Sequence, residues 1–109
     1  MDKEKLLEFE RKIEKLKKAG FKRLCPGIES GSEDVRKSVT KGKFNQEDIK
    51  KSIKIMKDAE ICIQGNYLFG LPEDTIESVQ RTLDLALELQ TEFVNIYCAM
   101  AYPVSRLYE

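Results

Sequence analysis

The chain has 109 residues, in which 19 lysines and arginines balance 19 aspartates and glutamates, with three cysteines and no histidine. That length suits one domain, 1–109, burying roughly 65% of its unfolded surface, and the neutral balance speaks against a general nucleic-acid-binding field. The missing histidines exclude Ser/His/Asp and Cys/His nucleophiles and imidazole metal ligands, and with no membrane-spanning apolar run and a charged start, Met1-Asp2-Lys3-Glu4-Lys5, the expected compartment is the cytoplasm.

In chain order the pattern alternates helix and strand. Leu6, Phe9, Ile13 and Leu16 recur at helical spacing after Asp2, an N-cap residue, and Gly20 is placed to end that helix. Residues 21–28 read as a strand with Pro26 near its end, and residues 32–41 as a short helix closed by Gly42. Asn45, with Asp48 three residues on, caps a helix whose inward residues are Ile49, Ile53 and Met56. Residues 61–69 form the second strand. Asp74 or Thr75 then caps a helix with an expected inward stripe of Ile76, Val79, Leu83, Ala86 and Leu87, and residues 93–100 form the third strand.

Strands separated by helices pair in parallel with right-handed crossovers, so the fold class is α/β, a three-stranded parallel sheet. Alternation puts Arg23, Cys25, Gly27 and Glu29 on one face, beside Gln64, Asn66 and Leu68 and beside Asn95, Tyr97 and Ala99. The other face, with Ile61, Ile63, Tyr67, Phe69, Val94, Ile96, Cys98 and Met100, is apolar and meets the helices. Helices on one face only fit a partial (β/α) barrel better than a doubly wound sheet; the plainer reading is an α+β layer with its polar face in water. Cys25, Cys62 and Cys98, each in an apolar run, read as small buried residues, neither disulfide framework nor metal knuckle.

The order Ala19-Gly20-Phe21-Lys22-Arg23, Gly27-Ile28-Glu29-Ser30-Gly31-Ser32, Lys41-Gly42, Tyr67-Leu68-Phe69-Gly70-Leu71-Pro72-Glu73-Asp74-Thr75 and Ala101-Tyr102-Pro103 closely resembles the radical S-adenosylmethionine superfamily, nearest to its cobalamin-binding-type branch. The resemblance runs from about Ala19 to Glu109. It implies that Glu29 and Ser30 meet the ribose hydroxyls of S-adenosylmethionine and that Lys41 meets the methionyl carboxylate. It also implies that the stretch from Gly65 to Gly70 lies beside the adenine, and that the adenine approaches the backbone around Ala99. Each residue has a plainer use: Glu29 as a cap or a partner of Arg23, Lys41 as a solvated helix-end lysine, and Gly70-Leu71-Pro72 as a strand-to-helix turn.

Departures from the family pattern matter as much. Glu73 and Asp74 replace the usual Gly-Glu of the second loop, so a positive φ at residue 73 is not expected, and Val104 stands at a usual glycine. The family's Cys-x-x-x-Cys-x-x-Cys loop, which holds a 4Fe-4S cluster, has no counterpart among Cys25, Cys62 and Cys98. The expectation is therefore the C-terminal half of a radical S-adenosylmethionine barrel. It supplies the ribose and adenine wall, no catalytic residue and no metal ligand, and is inactive alone; the cluster belongs to the parent enzyme. The alternative is a non-catalytic half-barrel module. The expected partner is the missing N-terminal half or a second copy in a homodimer, with no nucleic acid and no membrane.

Overall fold

A computed structural model describes residues 3–40, 45–100 and 103, without the side chains of residues 37–40. The elements are α1 (Lys3–Lys18), β1 (Arg23–Leu24), β2 (Gly27–Glu29), α2 (Glu33–Thr40), α3 (Gln46–Asp58), β3 (Cys62–Phe69), α4 (Ile76–Leu89) and β4 (Phe93–Cys98). All pairings are parallel, with β3 in the centre. β1 and β2 run along one side of it, Arg23 opposite Cys62 and Gly27 opposite Asn66, and are one strand interrupted at Cys25-Pro26. Proline has no N–H for the ladder, which is why the expected strand breaks there. β4 lies along the other side from Gln64↔Phe93 to Phe69↔Cys98. The sheet is thus the expected three-stranded parallel one, and the helices lie on one face.

Local signals in the sequence set the helix ends. Gly20, at φ 97°, sits past α1 while the Phe21 N–H reaches Leu16 O and the Gly20 N–H reaches Lys17 O, a Schellman closure. Asn45 Oδ1 accepts the Asp48 N–H at 2.8 Å and Asp48 Oδ2 accepts the Asn45 N–H at 3.4 Å, completing the capping box of α3. Thr75 and Ser78 make the same box on α4, so Thr75 is the cap. Asp2, Lys41, Gly42, Ala101, Tyr102 and Val104 lie outside the described residues.

The core lies between β3 and the helices: Ile13 of α1, Ile53 and Met56 of α3, Ile61, Ile63 and Tyr67 around β3, Ile28 of β2, and Leu85 and Leu89 of α4. The inward stripe expected for α4 holds only in part: Ala86 packs against the core and Val79 is half-buried, but Ile76 is 88% and Leu87 73% exposed, while Ser78, Thr82, Leu85 and Leu89 are buried. Apolarity alone picks the wrong face because half of the buried stripe is polar, and its hydroxyls are hydrogen-bonded within the fold. The cysteine expectation also fails. Cys25 is exposed at the break in the first strand, Cys98 is exposed at the end of the edge strand, and Cys62 is half-buried. On β4 the face expected to meet helices is open, with Val94 and Ile96 each 42% exposed.

Gly65 is explained inside this core. A Cβ there would lie 3.1 Å from the Tyr67 ring, which lies over the glycine on the helix-facing side of β3. The Tyr67 hydroxyl is buried with no hydrogen-bond partner among the described residues, and desolvation pushes it up to about 12 from 10.0. A buried hydroxyl without a partner costs stability, so Tyr67→Phe should leave the fold as stable or raise its stability by about 1 kcal/mol in urea denaturation. Because the folded-state value is raised, the native state loses stability relative to the unfolded chain as pH rises from about 10 to about 12. The variant should lose this share of the alkaline destabilisation. A clear destabilisation by Tyr67→Phe at pH 7 would show that the hydroxyl has a partner.

Candidate functional site

The Gly27-to-Ser32 segment is where strand, turn and two helices meet. Ile28 is 3% exposed and enters the core, and the chain then bulges: Gly27 pairs with Asn66, but Glu29 pairs with Tyr67. Two residues advance on β2 for one on β3, and Glu29 absorbs the excess by adopting a left-handed backbone with φ 70°. For a residue with a Cβ that conformation costs about 1–2 kcal/mol. Its carboxylate folds back over Gly27, where an added Cβ would stand 2.7 Å from Glu29 Oε1. No hydrogen bond or ion pair ties that carboxylate to another described residue, and partial burial raises its pKa above the usual carboxylate value.

Ser30 and Gly31 hold this bulge in place. Thr82 Oγ1 donates to Ser78 O at 3.0 Å within α4, so its one hydrogen is committed. It then accepts the Gly31 N–H at 2.9 Å and meets Ser30 Oγ at 3.3 Å, while Ser30 Oγ accepts the Ser32 N–H at 3.1 Å. Ser30 is 0% exposed. Its hydroxyl, expected against a ribose, is engaged inside the protein, and Glu29 is the member of the pair that the open face presents. Gly31 passes so close to α4 that a Cβ would lie 2.3 Å from Arg81 O, which only glycine allows.

Arg36, unremarked in the sequence, is the second tie. At 2% exposure it donates from Nη1 to Ser30 O at 3.1 Å and from Nη2 to Gln46 Oε1 at 3.3 Å, joining the end of β2 to α2 and α3. Desolvation lowers its pKa, opposed by the Glu33 carboxylate. The only sequence signal was a long cation next to Val35 on a short helix, which reads equally well as surface.

The second loop closes on Asp74. Gly70, at φ 83°, leaves β3 with open space around its Cα, and Asp74 Oδ2 accepts the N–H groups of Gly70 at 2.9 Å and Leu71 at 3.2 Å. The Asp74 N–H reaches Leu71 O at 2.8 Å, with Pro72 and Glu73 between them; Glu73 does not take a positive φ. Next to this loop, the Ala99 N–H donates to Phe69 O at 2.8 Å, extending β4 one residue past Cys98. Lys41 lies outside the described residues.

Towards the N-terminal strand ends, the open face carries an uncharged polar row. Gln64 Nε2 donates to Asn66 Oδ1 at 3.4 Å, and Asn95 Nδ2 donates to Tyr97 Oη at 3.4 Å. Arg23 crosses the strand ends to lie 4.8 Å from the Phe93 ring centroid, so it is not the partner of Glu29. No group of three or more His, Cys, Asp or Glu among the described residues could hold a metal ion, and the cysteines, on three different segments, do not fit an iron–sulfur cluster. No described helix is long and apolar enough to cross a membrane.

Two variants separate fastening from exposure. Thr82→Val removes the acceptor of a buried N–H and should cost about 1–3 kcal/mol in urea denaturation. Glu29→Gly relieves the left-handed backbone and should stabilise by about 1 kcal/mol. Equal and small effects of the two changes would contradict the geometry described.

Comparison with known proteins bears on the family and the fold. Residues 3–86 match the model of the radical SAM superfamily. An uncharacterized methyltransferase, PH0819, of Pyrococcus horikoshii is 30% identical over 102 residues, covering 93% of this chain and 22% of that protein. The bacteriochlorophyllide d C-12(1)-methyltransferase of Chlorobaculum tepidum is 26% identical over 92 residues, 84% of this chain and 20% of its own. A putative methylthiotransferase, MJ0865, of Methanocaldococcus jannaschii is 30% identical over 81 residues, 74% of this chain and 18% of its own. In structure, the coproporphyrinogen III oxidase HemN of Escherichia coli, a radical SAM enzyme, superposes with a TM-score of 0.77 at 21% identity, over 86% of this chain and 22% of that one. The chain therefore spans about a fifth of the length of the proteins it matches.

Proposed function

The chain belongs to the radical S-adenosylmethionine superfamily, and we propose that within a longer protein of that family it forms the barrel wall against which the ribose and adenine of S-adenosylmethionine lie. Glu29 carries the reading. A strained, partly desolvated carboxylate with no partner among the described residues is placed at the end of a strand on the open face. Strain and unmet hydrogen-bonding capacity at one residue fit a group reserved for a ligand, and vicinal hydroxyls donate to a carboxylate.

S-adenosylmethionine, when bound, supplies the radical chemistry of the family, and this chain contributes positioning. Glu29 accepts from the ribose hydroxyls. Ser30, through Thr82, fixes the bulge that aims Glu29. Gly70 and Ala99, their N–H groups engaged by Asp74 and Phe69, stand at the strand ends that the adenine would approach, Gly65 lets Tyr67 pack behind it, and Lys41 is the expected partner of the methionyl carboxylate. The 4Fe-4S cluster of the longer protein would be held by cysteines outside these 109 residues. The relatives' names support methyl or methylthio transfer as the reaction of that longer protein.

Titration of the isotope-labelled chain with S-adenosylhomocysteine, followed by amide NMR, tests the wall. Shifts should centre on Gly27, Glu29, Gly70 and Ala99, with a dissociation constant of about 1 mM or weaker, because the iron contact is absent. Glu29→Gln should weaken binding several-fold. Shifts centred elsewhere, or unchanged by Glu29→Gln, would overturn the assignment.

A further inference from the structure

The open face carries one charge at each end. Of the described strand side chains that alternation turns to that face, Arg23 at the N-terminal strand ends is the only cation and Glu29 at the C-terminal ends the only anion. Arg23 is exposed, and its Cζ lies 4.8 Å from the Phe93 ring centroid, across β3. One side of the guanidinium is thereby held against the ring, while its N–H groups make no hydrogen bond or ion pair with any described residue. The acid next to Phe93 in the chain does not serve it: Glu92 Oε2 accepts the Ile63 N–H at 2.7 Å, and the cation acting on Glu92 is Lys57.

A planar cation laid on an aromatic ring has its long side chain extended before any anion arrives, and the guanidinium edge presents parallel N–H groups that fit a carboxylate. The number of charges narrows the ligand. A phosphate ester brings roughly −1.5 to −2 of charge at neutral pH, whereas Arg23 offers one positive charge, with the uncharged amide of Gln64 opposite Phe93 on β3. Register sets the length: Arg23 is opposite Cys62 and Glu29 opposite Tyr67, and β3 rises ~16 Å between those residues. Along that run the amides of Gln64, Asn66 and Asn95 are held only by contacts of 3.4–3.5 Å, and Tyr97, 54% exposed, adds an aromatic surface at the far end.

We propose that the open face binds an elongated carboxylic acid, its carboxylate taken by the guanidinium of Arg23 beside Phe93 and its body lying over the amides towards Tyr97 and Glu29. The loosely held amides re-pair with polar groups of the ligand at little cost, and the Tyr97 ring meets a flat apolar body. Arg23 is the specificity-determining residue, since it separates an acid from a neutral molecule of the same shape. That this acid is the substrate of the longer protein rests on the reading of the face as the wall for S-adenosylmethionine, which puts the far end of the acid next to the cofactor. Arg23 as a carboxylate anchor stands apart from that reading.

Titration of the full chain into pyrenebutyrate, a flat aromatic body with a carboxylate on a short stem, tests this by fluorescence anisotropy at neutral pH. The dissociation constant should be about 0.1–1 mM, and pyrenebutyramide, the same body without the charge, should bind about tenfold more weakly. Arg23→Gln, at an exposed position, should abolish the preference for the acid and leave binding of the amide unchanged, and Arg23→Lys should keep only part of the preference. Should Arg23→Gln fail to fold, Phe93→Leu gives a second reading: without the ring to hold Arg23, the preference should fall several-fold. Amide NMR shifts caused by pyrenebutyrate should centre on Arg23, Gln64, Phe93 and Asn95. Equal binding of acid and amide by the wild type, an unchanged preference in Arg23→Gln, or shifts centred elsewhere would overturn the proposal. Shifts caused by S-adenosylhomocysteine around Glu29 should persist in Arg23→Gln, so failure of either assignment leaves the other testable.

Discussion

Thr82 is a small polar residue in the middle of an otherwise ordinary amphipathic helix, and the arrangement of the open face depends on its hydroxyl. The oxygen donates once along α4 and receives Gly31 N–H, with Ser30 Oγ against it. That contact fixes the distance between the end of β2 and the helix following β3. The fixed distance holds the bulge, and the bulge sets the direction of Glu29. Gly31 is the steric half of the same constraint, since any side chain there would drive the turn away from α4 and pull the hydroxyls apart. Arg36 fastens the other side of the turn, so the segment is tied to α2, α3 and α4 by buried polar groups.

Among the described residues, three besides glycine take a positive φ, and they differ in what is gained. Glu60 follows α3, where the Ile61 N–H reaches Met56 O and the Glu60 N–H reaches Lys57 O, so its left-handed backbone closes a helix. Gln90 caps α4 in the same spirit, its N–H reaching Ala86 O. Glu29 closes no helix. Its conformation is forced by the register shift on β2, and its carboxylate is left over a glycine with no donor among the described residues. Strain of this kind persists only where surrounding contacts over-determine it, and the Thr82 and Arg36 ties supply those contacts.

Much of this was legible in the sequence because local rules and tertiary structure agree. The boxes at Asn45 and Thr75, the end of α1 at Gly20 and the alternation along β3 are each set by neighbours in the chain. The strand expected over 21–28 is broken at Pro26 by the missing N–H of a single residue, which the reading as one strand did not foresee. The burial of α4 was not legible, because Thr82 is hydrogen-bonded to Ser30 and Gly31 some fifty positions earlier and Ser78 to Asp74 and Thr75 in its own capping turn, which no periodicity of apolar residues records. Ser30 and Glu29 stand side by side in one motif, yet one is enclosed and the other presented. The difference arises from a bulge whose partner strand lies forty residues further on. Gly65 reads as room for a ligand until the Tyr67 ring is seen to occupy it.

The open face and the ties behind it also differ in the quality of their hydrogen bonds. The bonds to the Gly31 N–H and the Ser32 N–H and from Arg36 to Ser30 O lie between 2.9 and 3.1 Å and are buried. On the open face, Gln64 to Asn66, Asn66 to Cys25 O and Asn95 to Tyr97 lie at 3.4–3.5 Å, at the long limit of such contacts. Amides held that loosely give up little when a ligand replaces their partner, whereas breaking a buried tie exposes the full desolvation cost of the group left behind. The sheet is therefore held tightly behind Glu29 and loosely along the open face, a division of labour that the proposed binding wall would need.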